Sequence, residues 1–398
     1  MENSFEQQID TILNQDINQV IERQRSAFDK LAGEGYIHKS IVIFGASFLG
    51  KLALQGLRQL GIEPLAFADN NQTLWNQLVE GVPVLPPQEA ATKFGETAVF
   101  VVAVYNGSLL RQQLIDLNCR QVISYAYLFA KYAEVFLPHF ALDLPYEIYK
   151  QAGDVRKAAT LWVDDQSRQQ YLANLRWRLF LDFDKLATPI PSSMRKEEYF
   201  PKDIYTWLPN EVFIDCGAFD GDTIRRFLEG REYKFDKIVG LEPDPDSFQK
   251  LQTYVSTLPE DVKQKFTLIQ SAIGSRREKL KFDATASLVS QVSNSGKMEV
   301  DCVPLDDVLE DCNPTLIKMD LEGFEPDALA GAYRTIEKAC AVLVITVYHC
   351  QDHLWRIPLF IHSLSSEYRF FLRPHAEEWM ETSCYAVPAN RLNNININ

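Results

Sequence analysis

The chain has 398 residues, of which 46% are hydrophobic, 12% aromatic and 24% charged, a composition that builds folded cores in two or three domains and excludes a disordered chain. The 40 Lys and Arg against 54 Asp and Glu give a net charge of −14, which argues against nucleic acid and anionic membranes as partners, because both need a cationic surface. The longest apolar stretch, around Ala339 to Tyr348, is about half of what a membrane span needs.

In chain order, MENSFEQQID has neither a basic nor an apolar leader region, so the expectation is a cytoplasmic protein without a signal peptide. Phe5, Ile9, Ile12, Leu13, Ile17, Val20, Ile21, Phe28 and Leu31 recur at helical spacing and predict an amphipathic helix over 1–35. Its apolar face would pack on the next domain or on a second subunit of a homo-oligomer. From Ser40, IVIFGASFLGKLALQGLRQLG, EPLAFADNN, GVPVLPPQEAA and TAVFVVAV alternate strands, turns and helices, predicting a small Rossmann-like α/β domain over 36–135. Residues 136–208 read as a helical linker, ending in the proline-punctuated loop TPIPSSMRKEEYFP.

A second α/β pattern fills 209–398. VFIDCGAFDGD, KIVGLEPDPD, KFTLIQSAIG, PTLIKMDLEG and AVLVITVYH supply five apolar strands with helices between them. Leu280 to Val303 holds short extended pieces, and YRFFLRPH with SCYAVP predicts an antiparallel hairpin on the edge of the parallel sheet. The expected fold class is therefore α/β, a class I methyltransferase sheet with a C-terminal hairpin, plus the smaller N-terminal domain and the linker. The 7 cysteines contain no CxxC pair, so they read as small buried hydrophobes and not as a zinc or disulfide framework.

The strongest local signal is Asp215-Cys216-Gly217-Ala218-Phe219-Asp220-Gly221, a glycine turn between a strand and a helix. Gly217 and Gly221 let backbone approach a ligand closely, at the carboxyl end of the strand where open α/β sheets bind ligands. Glu242 follows 21 residues after Gly221, placed to accept hydrogen bonds from ribose hydroxyls and to repel a phosphate. The acidic Asp215, Asp220 and Asp222 also disfavour phosphates. The pair fits S-adenosylmethionine, a cationic sulfonium with a free ribose, better than NAD.

The strings VFIDCGAFDGDT, IVGLEPDP, LIQSAIG, CVPLDDVL and LIKMDLEGFEPDALAGA, in this order, resemble the FkbM family of S-adenosylmethionine-dependent methyltransferases over about 210 to 350. The ending from YHCQDHLWRIPLFIHSL onward is similar to a bacterial subset of it. The resemblance implies methyl transfer to a hydroxyl of a sugar, glycan or other small molecule. It puts Asp215, Gly217 and Gly221 around the methionine and adenosine portions of the cofactor, Glu242 on the ribose, and Ser271 and Ala272 beside the adenine. Asp320 and Glu322 would lie beside the methyl group.

Methyl transfer needs an aligned acceptor oxygen and a base. Asp320 and His349 each follow an apolar strand, so both are base candidates. Histidine titrates near working pH, which favours His349, with Asp320 as orienter or helix cap. Asp320, Glu322 and His349 have the oxygen and nitrogen atoms for Mg²⁺, but the expectation is no metal. His375 and Arg373 are substrate contacts or exposed hairpin charges, and Asp352 and His353 a polar rim or a solvated loop. In the N-terminal domain, Gly45-Ala46-Ser47-Phe48-Leu49-Gly50 lacks the central glycine of a dinucleotide turn. With FADNN and GVPVLPPQEA it resembles the Rossmann-like nucleotide-sugar domains of glycan-modifying enzymes, with Asp69 placed for a ribose. A ligand-free scaffold is the alternative there, and a catalytically silent nucleotide- or glycan-binding module is the alternative for the protein.

Overall fold

The computed structural model describes residues 4–33, 40–183, 186, 197–283, 291–292 and 298–393. They divide into two compact units: Met1–Gln151 with Leu172–Pro189 and Ala376–Met380, and Ala152–Tyr171 with Ile190–His375 and Glu381–Asn398.

The first unit opens with two helices, Phe5–Leu13 and Ile17–Ala32, where periodicity alone predicts one. Asp16 makes the break, because its carboxylate accepts hydrogen bonds from the amides of Asn18 at 2.9 Å and Gln19 at 3.1 Å and so starts the second helix. Strands β1 (Ile41–Phe44), β2 (Ala66–Ala68), β3 (Leu78–Val79), β4 (Val82–Leu85), β5 (Val99–Val102) and β6 (Gln121–Ser124) form one sheet in the order β3-β4-β2-β1-β5-β6. All neighbours are parallel except the β3–β4 pair. β1, β2 and β5 are buried along their whole length, as expected of parallel strands covered on both faces.

The second unit continues with β7 (Val212–Cys216), β8 (Lys237–Leu241), β9 (Phe266–Ile269), β10 (Ala272–Ile273), β11 (Glu278–Asp283), β12 (Gln291–Val292), β13 (Met298–Val303), β14 (Leu316–Met319), β15 (Val342–Thr346), β16 (Tyr368–Pro374) and β17 (Thr382–Pro388). The main sheet has the order β16-β17-β15-β14-β7-β8-β9. β15, β14, β7, β8 and β9 are parallel, and the β16–β17 hairpin runs antiparallel on β15. This is the predicted layout. β7 sits between β8 and β14, so the strand order reverses there and opens a crevice beyond its carboxyl end.

The extended pieces expected between Leu280 and Val303 belong to a second, four-stranded sheet, β10-β13-β11-β12; residues 284–290 and 293–297 lie outside the described residues. The linker contributes the helices Tyr146–Lys150, Ala152–Ala159 and Asp165–Phe180, and residues 188–196 of its predicted loop also lie outside. Among the described residues no helix is long and apolar enough to cross a membrane.

Candidate active site

Asp215 is the penultimate residue of β7 and pairs in register with Lys318 of β14. Both side chains are buried, with Lys318 Nζ 3.1 Å from Asp215 Oδ1. The ammonium also donates to the Gly217 carbonyl at 2.7 Å. Burial pushes the Asp215 carboxyl up to about 6 against the pull of Lys318, and Asp215 has no hydrogen bond of good geometry to either oxygen. This leaves acceptor capacity at the base of the crevice.

The turn that follows is held by contacts that only glycine permits. Gly217 has φ +81, and a Cβ there would lie 2.1 Å from the Asp320 carbonyl oxygen. Gly221 has φ +86 and caps the helix Asp222–Gly230. Steric demand from β14 thus adds to any demand from a ligand. Glu242, just past β8, clamps the turn: its Oε2 accepts from the Phe219 amide and its Oε1 from the Asp244 amide, both at 2.8 Å. Burial pushes its carboxyl up to about 7 even so. Each oxygen keeps a further lone pair for a hydroxyl donor.

Ser271 and Ala272 lie past the end of β9, and they serve the small sheet. The Ser271 hydroxyl is within hydrogen-bond distance of the carbonyls of Asp301 (2.8 Å) and Ala272 (2.9 Å), and Ala272 pairs with Cys302. A contact from this pair to an adenine would come from the backbone.

Asp320, Glu322 and His349 come together past the ends of β14 and β15. His349 Nε2 is 3.5 Å from Asp320 Oδ1 and 3.5 Å from Glu322 Oε2. Its Nδ1 is 2.7 Å from Glu325 Oε1, a fully buried carboxylate that also accepts from the Leu321 amide at 2.8 Å. Burial opposes a charge on His349, but Glu325, Glu322 and Asp320 outweigh it and raise the imidazole to about 10. His349 is therefore an imidazolium at neutral pH, not the free base that its unperturbed pKa suggests. Burial pushes Glu322 up to about 8, so it too holds its proton at neutral pH and can accept one only as pH rises through about 8. Asp320 Oδ2 accepts from the Tyr199 hydroxyl at 2.8 Å. The helix Glu325–Ala330 takes no side-chain cap, from Asp320 or any other residue.

Glu325 and Tyr199 are members of this cluster that sequence reasoning missed. Glu325 follows the legible IKMDLEG string and reads as the start of a helix, while Tyr199 lies 121 positions before Asp320 with no local signal. Asp320, Glu325 and His349 each offer a ligand atom within 4.8 Å of the other two, a spacing that a divalent cation can bridge. The imidazolium already supplies a cation between these carboxylates.

His375 and Arg373 do not join the cluster, nor are they exposed. His375 Nε2 is 2.6 Å from the Tyr385 hydroxyl and burial pushes its imidazole down to about 3. Arg373 is buried against Asp164 at 2.6 Å and Ser167 at 2.9 Å. His353 is buried beside Glu325 and not on a solvated loop. In the first unit, Asp69 accepts from the amides of Ala46 at 2.8 Å and Asn71 at 2.7 Å, the same clamp on a turn that Glu242 makes in the second.

Residues 215–381 match the family model of the methyltransferase FkbM domain. Among solved structures, the chain is similar to methyltransferase FkbM from Methylobacillus flagellatus KT, with a TM-score of 0.71 and 22% identity over 93% of this chain and 100% of that one; at that identity the likeness shows the fold. An rRNA methylase from Streptococcus thermophilus has a TM-score of 0.29 at 11% identity, covering 51% of this chain and 98% of that one. Precorrin-6y C5,15-methyltransferase from Geobacter metallireducens GS-15 has a TM-score of 0.28 at 13% identity, covering 49% and 84%. No curated protein matches.

Proposed function

Because the protein carries a methyltransferase domain of the FkbM type over residues 215–381, we propose that it moves the methyl group of S-adenosylmethionine to a hydroxyl of a sugar, glycan or other small metabolite. The observation that carries this reading is the Glu242 carboxylate gripping the Phe219 amide at 2.8 Å beside the glycine turn. It presents ionisable oxygens to a ribose where a phosphate would be repelled. Asp215, with neither oxygen in a good hydrogen bond, supports binding of a cationic ammonium or sulfonium in the same crevice.

The cofactor supplies an electrophilic methyl on a cationic sulfur. In the step, the sulfur–methyl bond breaks as the acceptor oxygen–methyl bond forms, and the hydroxyl proton passes to a carboxylate of the chain. Glu322 accepts that proton in its ionised form, which is populated as pH rises through about 8. Asp320, steadied by Tyr199, orients the acceptor hydroxyl, and His349 keeps the carboxylates in place by its charge. Gly217 and Gly221 line the cofactor, with Ser271 and Ala272 near its adenine.

Incubation with methyl-labelled S-adenosylmethionine and fractionated cell extract, followed by mass spectrometry of labelled products, tests the reading. A labelled methyl ether is expected. Label on nitrogen or carbon alone would refute O-methylation, and no label with any fraction would favour the silent binding module.

A further inference from the structure

The β16–β17 hairpin has its strands in the second unit and its tip, Ala376–Met380, in the first. Every residue of the tip is buried, unlike the surface turns that usually join strands. Trp379 is the apolar anchor: it stacks on Trp177 with ring centroids 5.0 Å apart and meets Tyr105 edge-on at 6.3 Å. Glu378 pairs with Arg111 at 2.5 Å, and Glu377 accepts from the Ser108 hydroxyl. Both partners lie at the start of the helix Ser108–Asp116, where the helix dipole favours negative charge. Glu378 (φ +61) and Glu381 (φ +51) are left-handed, a backbone that residues with a Cβ keep only when surrounding contacts enforce it. Just past the tip, the His375 amide donates to the Glu381 carbonyl at 3.0 Å and the Val347 amide to the Thr382 carbonyl at 2.9 Å. Glu381 therefore sits by the end of β15, two residues beyond which His349 follows Val347. Burial, then the charges of Glu198 and Asp320, with Glu322 adding, push the Glu381 carboxyl well above the ordinary range. Glu381 borders the carboxylate cluster and is joined by one peptide bond to an anchor in the other unit.

We propose that the first unit holds the acceptor side of the methyl-transfer site in place through this tip, with Arg111, acting through Glu378, as a positioning residue for Glu381. The proposal rests on the function proposed above, and it gives the N-terminal domain a task that needs no ligand of its own. The cofactor residues Asp215 and Glu242 belong to β7 and the end of β8, which β15 and β14 separate from the hairpin in the sheet. Loosening the tip therefore reaches the acceptor side and spares the cofactor. A methyl transfer is sensitive to such loosening, because its rate depends on how closely the acceptor oxygen is aligned with the methyl group.

The test is amide hydrogen exchange of the full chain, read by mass spectrometry. In Arg111→Ala, exchange over residues 375–382 should quicken at least about tenfold, while residues 215–221 keep their wild-type rate. Glu378→Gln should give the same change, and the double variant no more than either alone, as expected of a pair that acts as one contact. Arg111→Lys keeps the charge and should keep most of the protection. Arg58→Ala, which breaks the exposed pair of Arg58 with Glu63 in the same unit, should change nothing over residues 375–382. In methyl transfer to the labelled product, Arg111→Ala should lower the rate at least about fivefold, with S-adenosylmethionine affinity by calorimetric titration within about twofold of wild type. Wild-type exchange over residues 375–382 in both Arg111→Ala and Glu378→Gln would overturn the anchor. Quickened exchange with an unchanged transfer rate, or a loss of cofactor affinity as large as the loss of rate, would overturn the positioning role. The exchange measurement uses neither cofactor nor acceptor, so failure of the methyltransferase reading is distinguishable from failure of the anchor.

Discussion

Glu242 Oε2 accepts the Phe219 amide hydrogen at 2.8 Å, so the residue proposed to hold the ribose also holds the glycine turn in shape. Glu242→Gln leaves one of two backbone amides facing an NH₂ group in place of an oxygen. S-adenosylmethionine affinity should fall by about tenfold to a hundredfold, roughly 1.4 to 2.8 kcal/mol, as measured by calorimetric titration, with a lowered melting temperature.

The same residue makes a pH prediction. Its folded pKa of about 7 lies above the ordinary 4.5, so between these values the unfolded chain has lost a proton that the folded one keeps. The stability contributed by this group is fully present below pH about 4.5 and is lost as pH rises through about 7, by at most about 3 kcal/mol. Denaturant melts from pH 4.5 to 7.5 should show wild type losing stability relative to Glu242→Gln; a constant difference would refute this.

Gly217→Ala places a methyl 2.1 Å from the Asp320 carbonyl oxygen at a φ of +81. It should cost more than about 2 kcal/mol. Gly153→Ala, on the helix Ala152–Ala159 with nothing within 4 Å of the added carbon, should gain roughly 0.5 kcal/mol or change nothing. Thermal melts of the two variants give the comparison.

Lys318→Met strips the buried Asp215 of its cation, now 3.1 Å away. Breaking such a pair should cost about 3 to 5 kcal/mol. Adding Asp215→Asn should recover much of this stability while S-adenosylmethionine binding stays weak, which separates folding from function.

The main sheet was legible because its parallel strands are unbroken apolar runs ended by glycine or acidic turns, as in Val212–Cys216 and Lys237–Leu241. Asp215 and Glu242 stood out because each ends such a run. Lys318 was hidden by the same rule: it lies inside the apolar run LIKM, fully buried, and only its cross-strand register with Asp215 explains it. β10 and β12 were less legible, since strands of two residues carry no periodicity, whereas in β13 exposed Glu299 and Asp301 alternate with buried Val300 and Cys302. The protonation of His349 was not legible at all, because it is set by three carboxylates from another segment.

The most direct test of the account is calorimetric titration of the purified protein with S-adenosylmethionine. Saturable binding is expected, weakened strongly by each of Asp215→Ala and Glu242→Ala. Absence of binding by folded wild-type protein, or binding by both variants as tight as that of wild type, would contradict it.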